Sequence, residues 1–235
     1  MREEEPASYH QEIRVESGMA YGVLGADLHV YGDHVLLYLL ENWRDATDAD
    51  PKWLRELPGR LLNAGHAATA FTGRTAELSQ LHQWRRDDAL FAVRWLHGPT
   101  GIGRTLLAAK FASEATADRW KVVVATLGPG AVLPVLAGED LRPGPAEGTV
   151  LVIDAADRWT ETQLGALLSN KLFRRPDGGM RTRVLMTGAT LDGFPAIRHK
   201  LIGERALTSS QQLRPLEPRQ PGPALETDTF PRVVS

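Results

Sequence analysis

The residues that invite a chemical reading are Gly98-Pro99-Thr100-Gly101-Ile102-Gly103-Arg104-Thr105. Their spacing is that of a phosphate-binding loop, G-x-x-x-x-G-K-[ST], with Arg104 standing where lysine is expected. Glycines at Gly98, Gly101 and Gly103 let the backbone turn sharply, so that successive N–H groups face a bound anion. A helix opening at Thr105 would add the partial positive charge of its N-terminus. Ile102 and Thr100 fill the variable positions, and the Thr105 hydroxyl is a ligand for Mg²⁺. About fifty residues on, Val150-Leu151-Val152-Ile153-Asp154 is an apolar run ending in a carboxylate. In a parallel sheet that carboxylate lies at the C-terminal edge, where ligands of such sheets sit. This is the Walker B arrangement, with Asp154 serving Mg²⁺ directly or through water. Asp157, three residues later, is the candidate group to position or deprotonate a water.

Such residues need a sheet to hold them. From residue 91 onward, short apolar runs alternate with helical patterns. Strands are expected over 91–96, 121–125, 149–153, 183–186 and 210–216. Helices are expected over 75–85, 105–117, 160–173 and 194–207. Continuous apolar strands alternating with helices predict an α/β fold, a three-layer sandwich around a mostly parallel sheet. Ahead of it, 26–31 alternates, Gly32-Asp33-His34 supplies turn residues and the apolar run 35–39 can return as a second strand, which reads as a β-hairpin. Pro51 to Pro58 reads as a short helix. The expected organisation is a flexible arm over 1–17, a hairpin and helical connector over 18–70, a nucleotide-binding core over 71–216 and a Pro-rich disordered tail over 217–235.

Composition narrows the chemistry. The 235 residues carry 27 Lys+Arg and 29 Asp+Glu, a net charge of -2, without the basic excess of a dedicated nucleic-acid binder. The absence of cysteine excludes disulfides, thiolate metal sites and a cysteine nucleophile. The histidines are scattered without metal-ligand spacing. No apolar run is long enough to span a bilayer, and Met1-Arg2-Glu3-Glu4-Glu5-Pro6 lacks the apolar core of a signal peptide. A cytoplasmic location is expected. Asn170-Lys171-Leu172-Phe173 begins like a guanine-reading N-K-x-D but lacks the Asp. Arg174, Arg175, Arg181 and Arg183 surround Gly178-Gly179. They are expected in a solvated loop, although a small-molecule kinase would use such a segment as a basic lid.

Phe71-Thr72-Gly73-Arg74-Thr75-Ala76-Glu77-Leu78 resembles the F-x-G-R-x-x-E-L signature of STAND-class P-loop regulatory ATPases. Asp154-Ala155-Ala156-Asp157-Arg158-Trp159 is similar to the D-x-A-D-R-W form of their actinobacterial members, and Ala20–Val30 to their N-terminal region. The resemblance implies an ATP- and Mg²⁺-dependent switch, with Gly73 and Arg74 on the adenine side and Gly101, Gly103, Arg104 and Thr105 around the phosphates. It implies protein partners or self-association as the output. Three departures accompany it. Arg104 replaces the lysine, and a planar guanidinium is not interchangeable with a compact ammonium at a transferring phosphoryl group. Gly188 stands where a γ-phosphate-sensing Arg is expected. The Pro-rich residues 217–235 are expected to hold neither the family's lid nor its helical repeats. Slow or absent hydrolysis is therefore expected, the alternative being an interaction domain that no longer binds nucleotide.

Overall fold

Alternating side chains of four strands sort into two cores, one on each face of a sheet. Phe91, Val93, Trp95, Leu151, Ile153, Val184 and Met186 face one way. Ala92, Leu96, Val122, Val124, Val150, Val152 and Leu185 face the other. This period of two, with both faces apolar, is what a sheet covered on both sides requires. The computed structural model describes residues 23–24, 37–44, 73–127, 139–174, 180–202 and 206–216.

In chain order the strands are β1 (Val23–Leu24), β2 (Tyr38–Asn42), β3 (Phe91–His97), β4 (Lys121–Leu127), β5 (Glu139–Asp140), β6 (Gly148–Ile153), β7 (Arg181–Gly188) and β8 (Leu207–Gln212). The helices are α1 (Thr75–Arg86), α2 (Arg104–Ala117), α3 (Glu161–Leu168) and α4 (Phe194–Ile202). Six strands form the main sheet in the order β2-β4-β6-β7-β3-β8. All its pairings are parallel except β2 with β4. Leu81 and Trp84 of α1 and Leu107, Phe111 and Ala115 of α2 cover one face. Leu164 and Leu167 of α3 and Phe194 and Ile197 of α4 cover the other. The α/β three-layer architecture is thus present, with β1 and β5 as a separate two-stranded pair.

The strand order matters for the site. β7 lies between β3, which leads into the glycine loop, and β6, which ends just before Asp154. Its register sets Gly188 beside His97 and Met186 beside Ile153. The end of β7 is thereby inserted between the two motifs.

Several expectations shift. The first strand of the expected hairpin, the 51–58 helix, the arm over 1–17 and the tail over 217–235 lie outside the described residues. The expected return strand is β2, which pairs antiparallel with β4 as an edge of the main sheet. The helix expected over 160–173 ends at Leu168. There Asn170, fully buried, accepts from the Leu172 N–H (3.0 Å) and donates to the Tyr38 hydroxyl (3.0 Å). Asn170 is a structural tie, and a side chain competing for backbone groups stops the helix. The last strand starts earlier than expected, at Leu207, because its pairing with β3 begins at Ala92↔Leu207. Of the basic segment expected as a solvated loop, 175–179 lie outside the described residues, and the flanking arginines are not in a loop open to solvent. Arg181 and Arg183 belong to β7, and Arg183 is fully buried. Arg174 lies 3.8 Å over the Phe91 ring and donates to the Leu168 carbonyl.

Candidate functional site: a glycine loop facing a Thr–Asp–Thr cluster

The glycine loop follows β3 and runs directly into α2. Gly101 (φ 82°) and Gly103 (φ 88°) adopt left-handed backbone conformations that favour glycine. Gly103 is the residue that caps α2. A Cβ on Gly98 would meet the Leu213 carbonyl oxygen at 2.7 Å, so that position must be bare for the chain after β8 to pass. A Cβ on Gly101 would meet nothing within 4 Å. The loop is tight against the protein at its start and open at its middle.

Thr105, in the first turn of α2, donates its hydroxyl to the Asp154 carboxylate, 3.0 and 3.1 Å from its two oxygens. Thr187, the penultimate residue of β7, also donates to Asp154, and its own oxygen accepts from the Ala155 N–H at 3.1 Å. Ala155 is left-handed (φ 49°), which turns the chain out of β6 immediately after the carboxylate. Three hard oxygen groups from three elements therefore converge at one end of the sheet. One carboxylate with hydroxyls suits Mg²⁺, which keeps several waters and takes the rest of its ligands from phosphate oxygens. The donor set fits that ion, with Thr105 and Asp154 as the residues to hold it.

Arg104 donates to the carbonyl of Gly98, the first residue of the loop, so its guanidinium is engaged within the loop itself. Asp157 is exposed and accepts from the Ala189 N–H (2.8 Å), which fixes the turn between β7 and α4. Gly188 has a packing cause. A Cβ there would sit 2.9 Å from Trp95 Nε1, and Trp95 is fully buried with that N–H donated to the Thr190 carbonyl. The Trp95 ring fills the space that a longer side chain at position 188 would enter. His97, just before the loop, is pushed below its ordinary pKa by burial.

Beside the loop is a cleft of about 400 Å³ lined by Arg74, Pro99, Thr100, Gly101, Ile102, Pro215 and Leu216. Gly73 (φ 84°) lies against it, and a Cβ there would meet Leu216 Cδ1 at 3.3 Å. The Arg74 side chain is almost fully buried. It donates to Glu77 (2.7 Å), the Ile102 carbonyl (2.7 Å) and the Arg214 carbonyl (3.0 Å).

The structure thus gathers Thr105, Arg104, Gly98–Gly103 and Asp154 at one sheet end, with Gly73 and Arg74 at the adjoining cleft. Asp157 faces a neighbouring turn. Sequence reasoning missed Thr187, Pro215 and Leu216. Thr187 had a signal, a hydroxyl closing the apolar run Val184-Leu185-Met186. Pro215 and Leu216 had none, since their place depends on how the chain leaves β8.

No protein-family model matches the chain, and no curated protein matches it. Among solved structures it is similar to a chain of the Escherichia coli MS115-1 HORMA:CdnC:Trip13 complex, with 15% identity over 74% of this chain and 68% of that chain, at a TM-score of 0.35. It is similar to the Aeropyrum pernix ORC2 protein in its ADPNP–ADP complexes, with 18% identity over 68% of this chain and 48% of that one, at 0.33. It is also similar to Caenorhabditis elegans PCH-2, with 13% identity over 66% and 44%, at 0.32. The chain spans less than half the length of the last two. Among the described residues, no helix is long and apolar enough to cross a membrane.

Proposed function

We propose that this chain is a nucleotide-binding P-loop domain of the regulatory STAND-like kind, taking ATP with Mg²⁺ and hydrolysing it slowly or not at all. The observation that carries the reading is the Thr105–Asp154 contact beside a glycine loop at the C-terminal end of a parallel sheet. In this reading the N–H groups of Gly101–Thr105 bind phosphate oxygens, and Thr105 and Asp154 hold Mg²⁺. The metal, when bound, supplies charge neutralisation for the phosphates. The cleft between Ile102 and Leu216 takes the base, with Gly73 and Arg74 behind it. Asp157 orients water if hydrolysis occurs. The Arg104–Gly98 bond and the bare Gly188 both support weak hydrolysis. The chain's output is then a change in contacts with protein partners or with its own copies in the cytoplasm. Stoichiometric binding of Mg·ATP, lost in Thr105→Ala and Asp154→Ala, tests the reading. Absence of binding at millimolar ATP would overturn it.

One observation favours a second reading. Because Arg104 is bonded to the loop backbone, the loop satisfies its own cation and needs no phosphate. An interaction domain without nucleotide would keep that bond. It predicts that ATP leaves the melting temperature unchanged, whereas a ligand that binds only the folded state raises it.

A further inference from the structure

The family resemblance puts Arg74 on the adenine side, yet its guanidinium is committed elsewhere. Nη1 is bonded to Glu77, while Nη2 is shared between the carbonyls of Ile102 and Arg214. Ile102 is in the glycine loop, and Arg214 is two residues past the end of β8. One nitrogen therefore joins the loop to the segment that leaves the sheet. Around it the same two segments touch again. The Leu213 N–H donates to the His97 carbonyl (2.7 Å), and the Leu213 carbonyl crowds Gly98. Pro215 and Leu216 then form the wall of the cleft opposite Pro99 and Ile102. A buried, charge-assisted fork with three acceptors has a single low-energy arrangement, because losing one acceptor leaves charge unsatisfied. The backbone at Arg74 is itself left-handed (φ 54°), an unusual conformation for a residue with a side chain, held by the contacts around it.

We infer that Arg74 is a positioning residue that couples the glycine loop to the segment 213–216, so that what fills the cleft sets the position of that segment. The ligand half of this rests on the nucleotide reading, while the coupling itself does not. A ligand wedged between Ile102 and Leu216 meets two walls tied to one guanidinium. Neither wall moves without loading the other.

Hydrogen exchange on the full chain separates the two halves. The reporters are the amides of Ile102, bonded to the Pro99 carbonyl (3.3 Å), and Leu213, bonded to the His97 carbonyl. Amides of β4 and β6 report whether the fold is intact. Without nucleotide, Arg74→Gln is expected to speed exchange at Ile102 and Leu213 together, by about tenfold, with β4 and β6 unchanged. Arg74→Lys, which keeps the charge but offers a single ammonium nitrogen in place of the planar fork, falls between. Acceleration at one reporter alone overturns the coupling, as does no acceleration at either. If Arg74→Gln also loses protection in β4 and β6, Arg74→Lys decides by the same criterion. With Mg·ATP, the native chain slows at both reporters, and in Arg74→Gln the slowing is confined to Ile102. Equal slowing of Leu213 in both proteins overturns the inference. No slowing at either reporter in the native chain would remove the nucleotide reading, and the nucleotide-free comparison would still judge the clamp.

Discussion

At the start of β7, arginine is part of the core; at its far end, buried Thr187 is bonded to the half-buried Asp154 beside the glycine loop. Arg183 donates to the backbone carbonyls of Trp84 (3.2 Å), Arg85 (3.0 Å), Ala89 (2.7 Å), Thr182 (3.0 Å) and Asp87. Burial pushes its guanidinium down to about 10, against the opposing pull of Asp87. Arg85 is also buried, bonded to Asp118 and lying near the Trp120 and Phe111 rings. Arg183 holds the turn between α1 and β3, and Arg85 ties α1 to the end of α2. At the opposite end, Thr105 and Thr187 converge on one half-buried carboxylate beside a bare glycine loop. The lesson concerns charge and availability. A cation whose donors are spent on backbone stabilises the fold, whereas side chains bonded to one another at an open edge can exchange that bond for an ion.

The comparison predicts that substitutions at the first end cost stability and those at the second cost binding. The largest effect is expected from Arg183→Met, which leaves several buried carbonyls without a donor. Denaturant unfolding should show a loss of about 3–5 kcal/mol. A loss under about 1 kcal/mol would break the assignment of Arg183 to the core. Next comes Gly188→Ala, whose Cβ must displace Trp95. Overpacking of this kind costs about 1–3 kcal/mol, read as a fall in melting temperature. An arginine placed at position 188 should therefore destabilise the chain, read by the same fall in melting temperature.

The third effect is smaller and depends on pH. The Arg85 hydrogen bond holds the Asp118 carboxyl below its ordinary pKa, with burial opposing. A group depressed in the folded state stabilises above its unfolded pKa, and that stabilisation is lost as pH falls through the folded value. Asp118 is half-exposed, so solvent screens the pair. Asp118→Asn should cost about 1 kcal/mol at neutral pH. The two unfolding curves should converge as pH drops below about 4. A difference that persists in strong acid would contradict the ion-pair account. Smallest in stability is Asp154→Asn, expected within about 0.5 kcal/mol of the native chain because the site is half-open. Its Mg·ATP affinity should nevertheless fall by tenfold or more.

How much of this was legible in the sequence follows the same division. The central strands and α1 and α2 were readable because their apolar periods were long and unbroken, and the glycine spacing located the loop. Asp154 was readable as the end of an apolar run. Thr187 was not identified, because strand order decides which strand end lies beside Asp154, and local pattern does not encode order. Arg183 was readable as the first residue of an expected strand over 183–186, but its burial was not, because composition does not reveal the backbone acceptors brought from α1 and the following turn. Arg74 was noticed by motif, but its partner Arg214 is 140 residues away. The β8 boundary slipped because Leu-Thr-Ser-Ser-Gln-Gln carries little hydrophobic signal for an edge strand.

The most direct test of the central claim is calorimetric titration of Mg·ATP into the native chain, beside Arg104→Lys, Thr105→Ala and Asp154→Ala. Stoichiometric binding by the native chain is predicted, with tighter binding in Arg104→Lys, where the loop no longer spends a guanidinium on Gly98, and loss in the other two. Silence in the native chain and in Arg104→Lys, with all four proteins folded, would contradict it and leave the glycine loop as structure alone.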